Sequence, residues 1–80
     1  MTKNILDDVR RVVRAELVAA GSSITVAEAR RAVQETLRRR VEIDRVYAAL
    51  ETGPGADEFV VTRPPPRPLA RVGLRGGRRP

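Results

Sequence analysis

The sequence predicts a small, mainly helical fold: three helices, a minimal two-stranded sheet and a disordered basic tail. Three observations lead there. Apolar residues recur at helical spacing in three stretches, near residues 5–20, 26–37 and 43–50. The apolar phase slips by about two residues between Val41 and Ile43, which breaks the second stretch from the third. Composition then collapses after Thr62, where fourteen of the last eighteen residues are Arg, Pro or Gly. The expected division is a folded domain over residues 1–62 and a disordered Arg/Pro/Gly-rich tail over 63–80.

In the first helix Asn4 is placed to cap, and Asp7 and Asp8 suit the positive end of the helix dipole. Ile5, Leu6, Val9, Val12, Val13, Leu17 and Ala20 form its apolar arc. Arg10, Arg11 and Arg14 fall on the far side with Asp7, and Glu16 is expected at the arc's edge or paired with an arginine. Gly21 is the stop. Ser22–Thr25 has some strand character. Thr25-Val26-Ala27-Glu28 then matches a capping box, with Ile24 as the preceding staple residue. Val26, Ala29, Val33 and Leu37 point inward on the second helix. Glu28, Arg31, Glu35, Arg38 and Arg39 point outward.

A turn near residues 39–43 joins this helix to the third, giving a helix-turn-helix arrangement. Asp44 is expected to cap the third helix, and Gly53 with Pro54 to end it. Ile43, Val46, Tyr47 and Leu50 form its inward arc, with Arg45, Ala48, Ala49 and Thr52 opposite. Glu58-Phe59-Val60-Val61-Thr62 reads as a strand whose natural partner is Ser22–Thr25.

Charge is unevenly spread. Residues 1–62 carry ten Lys or Arg and ten Asp or Glu, whereas 63–80 carry six Arg and no acid, so the net +6 belongs to the tail. A neutral body with a cationic arm points to a polyanion partner. With no Cys or His, disulfides and the usual zinc sites are excluded, and no cofactor or metal is expected. No apolar run reaches the ~18–20 residues that cross a bilayer. The first residues lack the apolar core of a secretory signal, so a cytoplasmic, nucleoid-associated location without membrane contact is expected. Asp7 and Asp8 diverge by about 100° on a helix and cannot share a metal or proton, and no nucleophile–base pair is evident. The chain is not expected to be an enzyme.

Helix, short strand, helix, turn, helix, strand resembles the order of a winged helix-turn-helix domain. Thr25-Val26-Ala27-Glu28-Ala29 looks like the start of the support helix in bacterial regulators. Ile43-Asp44-Arg45-Val46-Tyr47-Ala48-Ala49-Leu50 resembles the recognition helix of families such as the ferric-uptake-regulator type. The resemblance covers about residues 4–62. It implies double-stranded DNA as partner and a role in transcription regulation or as an accessory factor of a mobile element. It places Arg45, Ala48, Ala49 and Thr52 in the major groove. The twelve residues 51–62 leave room only for a stunted wing, and Gly53–Asp57 offers no cation to phosphate.

Arg45 could donate a bidentate pair to guanine, with Ala48, Ala49 and Thr52 close to thymine methyls. Arg38 and Arg39 are expected to clamp phosphate, ahead of Arg40, which lies nearer the buried side. The tail arginines Arg63, Arg67, Arg71, Arg75, Arg78 and Arg79 are expected to act as an arm on phosphates or in a minor groove. If all six met phosphate, log K would fall by about five units per decade of salt. The alternative reading is a protein-interaction or homodimerisation module with a non-specific nucleic-acid-binding tail. It draws on Asp44, Asp57 and Glu58, and on the small Ala48/Ala49 face.

Overall fold

A computed structural model describes residues 5–53, 55–62 and 70–75. Its order is α1 (Ile5–Ala20), β1 (Ile24–Thr25), α2 (Val26–Leu37), α3 (Ile43–Glu51), a single 3₁₀ turn (Ala56–Glu58), β2 (Phe59–Thr62) and β3 (Arg71–Leu74). The three helices follow their predicted periods. Val9, Val13, Val33, Val46 and Leu50 meet at the centre with Val72 from the sheet, all fully buried. Gly21 takes a left-handed φ of 70° as α1 ends, and its N–H donates to the Leu17 carbonyl. The capping box forms in both directions: Glu28 N–H donates to Thr25 Oγ1, and Thr25 N–H donates to a Glu28 carboxylate oxygen. Asn4 lies outside the described residues. Ala20 and Glu16 are both exposed, so the apolar arc of α1 effectively ends at Leu17.

The sheet departs from the sequence expectation. Among the described residues it has three antiparallel strands in the order β1-β3-β2, so β1 and β2 do not meet. β3 comes from the segment expected to be a disordered arm, and it is the central strand. Ile24 pairs with Val72 on one side, and Phe59 through Thr62 pair with Leu74 through Arg71 on the other. The physical reason is the alternation Ala70, Val72, Leu74: Ala70 and Val72 are buried and Leu74 is partly so. An apolar residue at every second position suits a strand with one face on a core. The prolines and glycines around it masked that pattern. Residues 63–69 and 76–80 fall outside the described part.

Candidate functional site

α3 is the element on display, and contacts at both ends fix its position. At its start, the chain leaves α2 at Leu37 and turns through residues 38–42. Gln34 and Arg30 of α2 stitch this turn. Val41 N–H donates to Gln34 Oε1 at 2.9 Å, and Arg30 Nε donates to the Val41 carbonyl at 2.8 Å. Both backbone groups of buried Val41 are thus satisfied by α2 side chains. The break between the two helices stands where the phase slip put it. Glu42, not Asp44, is the N-cap, and its side chain makes no capping bond. Its carbonyl accepts from the Arg45 and Val46 N–H groups. Asp44 instead sits in the first turn, where a carboxylate still favours the helix dipole.

At the far end of α3, Arg10 of α1 provides the closure. Its side chain was expected on the solvent side, yet the residue is only 5% exposed. Nε donates to the Ala49 carbonyl at 2.7 Å, Nη2 to the Thr52 carbonyl at 2.6 Å, and Nη1 to Asp7 Oδ1 at 2.7 Å. The last carbonyls of a helix have no partner within it, and a guanidinium aimed at them satisfies them with charge-assisted bonds. The sequence does carry the signal: Leu6, Arg10, Val13 and Leu17 form one stripe at helical spacing, with the arginine inside the apolar row. Gly53 belongs to the same arrangement. It holds a φ of 86°, and a Cβ there would lie 2.7 Å from Arg10 Nη2.

The buried arc of α3 is Val46, Ala49 and Leu50, with Ile43, Tyr47 and Ala48 partly covered. Ala49 is completely buried, so its expected place in a groove is wrong. Its carbonyl is the one that Arg10 Nε reaches from α1. Arg45 and Thr52 are exposed as expected, although Thr52 turns its hydroxyl back to the Ala48 carbonyl at 2.6 Å. The outward surface of α3 therefore carries Arg45 among Glu42, Asp44 and Glu51, all exposed.

The cationic display lies in the turn before α3. Arg38, Arg39 and Arg40 are all exposed, so Arg40 is no nearer the buried side than its neighbours. Arg38 caps α2 in the left-handed conformation, φ 56°, and is the only non-glycine with positive φ among the described residues. Gln34 O accepts from the N–H groups of both Arg38 and Arg39.

Two arginines assigned to a loose arm are instead fastened to the body. Arg71 donates to Ser23, through Nε to the hydroxyl and Nη2 to the carbonyl. Arg75 donates through Nε to the Asp57 carbonyl, and its N–H donates to the Glu58 carbonyl. Arg63, Arg67, Arg78 and Arg79 lie outside the described residues. On the other side of the 3₁₀ turn, Arg14 grips Glu58 with two bonds, at 2.7 and 2.5 Å. Hydrogen bonding from Arg14, reinforced by its charge, holds the Glu58 carboxyl below its usual value. The bond from the Thr25 N–H does the same for Glu28. Among the described residues, no helix is long and apolar enough to cross a membrane. Comparison with protein-family models, curated proteins and solved structures finds no match to this chain.

Proposed function

We propose that this chain is a winged helix-turn-helix DNA-binding protein acting in the cytoplasm, as a transcriptional regulator or a mobile-element accessory factor. One observation carries the reading. Arg38 occupies a backbone conformation that glycine adopts without penalty, and does so in an exposed Arg-Arg-Arg turn directly before the displayed helix. Holding a non-glycine residue there costs about 1–2 kcal/mol. A cation kept at that cost and left exposed, at a C-cap where the dipole of α2 also favours its charge, fits a contact to phosphate.

In this reading Arg38 and Arg39 set α3 against the duplex backbone. Arg45 reaches a base edge, flanked by Ala48 and Thr52. β2 and β3 form the wing, and the chain between them carries Arg63 and Arg67. That wing replaces the stunted one expected when the strand after Thr62 was not foreseen. With Arg71 and Arg75 engaged by the body, the C-terminal region offers four arginines instead of six. Its contribution to the salt dependence falls from about five units per decade to below four.

The test is Arg38→Gly, measured for duplex, single-stranded DNA and RNA at two salt concentrations. The expected result is a protein at least as stable as the parent that binds duplex more weakly, with the slope of log K on log salt reduced by about 1. Unchanged affinity and slope would overturn the reading.

The acidic company of Arg45 favours a second reading, in which α3 docks on a protein partner. Glu42, Asp44 and Glu51 outnumber the single cation on that surface. Arg45→Ala separates the two, since it relaxes sequence preference on DNA in the first and leaves nucleic-acid binding untouched in the second.

A further inference from the structure

We propose that the outer edge of β2 binds the same strand of a second copy of this chain, antiparallel, with the two-fold axis at Val60. The strand order β1-β3-β2 leaves β2 at the sheet's edge. Which of its backbone groups face outward follows from hydrogen bonds already described. Arg75 N–H donates to the Glu58 carbonyl, so 58 and 75 form a hydrogen-bonded pair. Alternation along an antiparallel ladder then turns the backbone of Val60 and Thr62 toward β3, and that of Phe59 and Val61 away from it, although the Phe59 N–H already donates to the Ala56 carbonyl. The other side of β3 agrees: Val26 N–H donates to the Ala70 carbonyl, so the even-numbered residues face β1.

Edge strands are normally blunted by lysine, proline or a bulge, and Phe59-Val60-Val61-Thr62 contains none of these. Val60 is 39% exposed on the outer face of the sheet. Along the strand runs a groove of about 420 Å³, lined by Leu50, Gly53, Phe59, Val61 and Arg75 among others.

The strand complements itself. With Val60 facing Val60 of the other copy, Phe59 of each chain stands opposite Val61 of the other. The Val61 N–H of each chain then donates to the Phe59 carbonyl of the other, one bond per pair, because the Phe59 N–H is engaged by Ala56 of its own chain. The two Val60 side chains then meet in a non-hydrogen-bonded pair, the closer of the two pair types. Charge agrees with the same direction. Asp57 precedes the strand and Arg63 follows it in sequence, so antiparallel pairing runs the acidic end of one strand toward the basic end of the other, while Glu58 is already held by Arg14. A parallel arrangement would set like charges together.

The inference does not depend on DNA binding and is tested without nucleic acid. Sedimentation equilibrium of the whole chain, from micromolar to millimolar, should show the average mass rising toward twice that of one chain. Val61→Pro removes an outward N–H and leaves the ladder to β3 intact, so it should hold the mass at one chain with the helical circular dichroism unchanged. Val60→Lys should do the same and decides the matter should the proline variant fail to fold. Val18→Lys, which changes the other large exposed apolar residue, at 68%, should associate like the parent. A parent that stays monomeric throughout, or a Val60→Lys variant that associates as the parent does, would overturn the proposal.

Discussion

Guanidinium groups flank α3 at both ends, and the two sets are used in opposite ways. Past the C-terminal end, Arg10 is buried, with bonds to two carbonyls and a carboxylate. Before the N-terminal end, Arg38, Arg39 and Arg40 stand in solvent. The side chains are chemically identical, and what separates them is what waits nearby. A helix C-terminus presents unpaired carbonyls that repay desolvation of a cation. The start of α3 presents N–H groups, which offer a cation nothing, and what the turn has instead is the C-terminal dipole of α2, of which Arg38 is the C-cap. The guanidinium groups of Arg38, Arg39 and Arg40 stay exposed there and open to a partner carrying negative charge.

The largest effect should come from breaking the buried end. Arg10→Met leaves the Ala49 and Thr52 carbonyls without their donor and should cost about 2–4 kcal/mol in urea unfolding. Arg10→Lys should recover only part of this, because an ammonium cannot span the three acceptors. Gly53→Ala comes next. It strains a left-handed backbone and pushes on Arg10 Nη2, and should cost about 1–2 kcal/mol. A loss as large as that of Arg10→Met would mean that Gly53, and not the guanidinium, governs this end.

At the exposed end the sign reverses. Arg38→Gly should raise stability by up to about 1 kcal/mol through relief of the left-handed backbone. A drop in melting temperature would show that the Arg38 side chain fastens the turn, and would erase the contrast with Arg10.

The smallest effect concerns Arg14 and Glu58. The folded carboxyl of Glu58 titrates below its unfolded value, so the unfolded chain binds more protons in that interval. The pair's stabilisation is present above the ordinary glutamate range and disappears as pH falls through the lowered folded value. Both partners are partly exposed, so the contribution is under about 1 kcal/mol. Glu58→Gln should flatten this part of an acid-unfolding curve. An unchanged curve would assign the acid response elsewhere, with Glu28 the first alternative.

How far these roles could be read in advance varied with the range of the interaction. The capping box, the stop at Gly21 and the turn after Leu37 depend on residues a few positions apart, and each stands as the spacing implied. Arg10 reaches forward 39 residues to Ala49. Helical spacing sets it beside Leu6, Val13 and Leu17, and only its charge argued for water. Ala49 failed for the same reason, since its burial is set by α1 and not by the period of α3. β3 was hidden because composition outweighed alternation: the four-residue strand Arg71–Leu74 lies among prolines, glycines and arginines. The loss has a practical side. Removing 63–80 takes out the central strand along with the tail arginines. The charges are better probed by serine substitutions at Arg63, Arg67, Arg78 and Arg79.

The middle strand of the sheet is the last of its strands to be synthesised. A ribosome therefore releases all three helices and both outer strands before the piece that joins them exists. Until Leu74 clears the exit tunnel, β1 and β2 have no ladder between them, Phe59 lacks its partner Leu74 and Ile24 lacks its partner Val72. Completion of this fold consequently waits for Arg71–Leu74 to emerge, and a chain cut short after Thr62 would be a helical remnant with its apolar underside open to water.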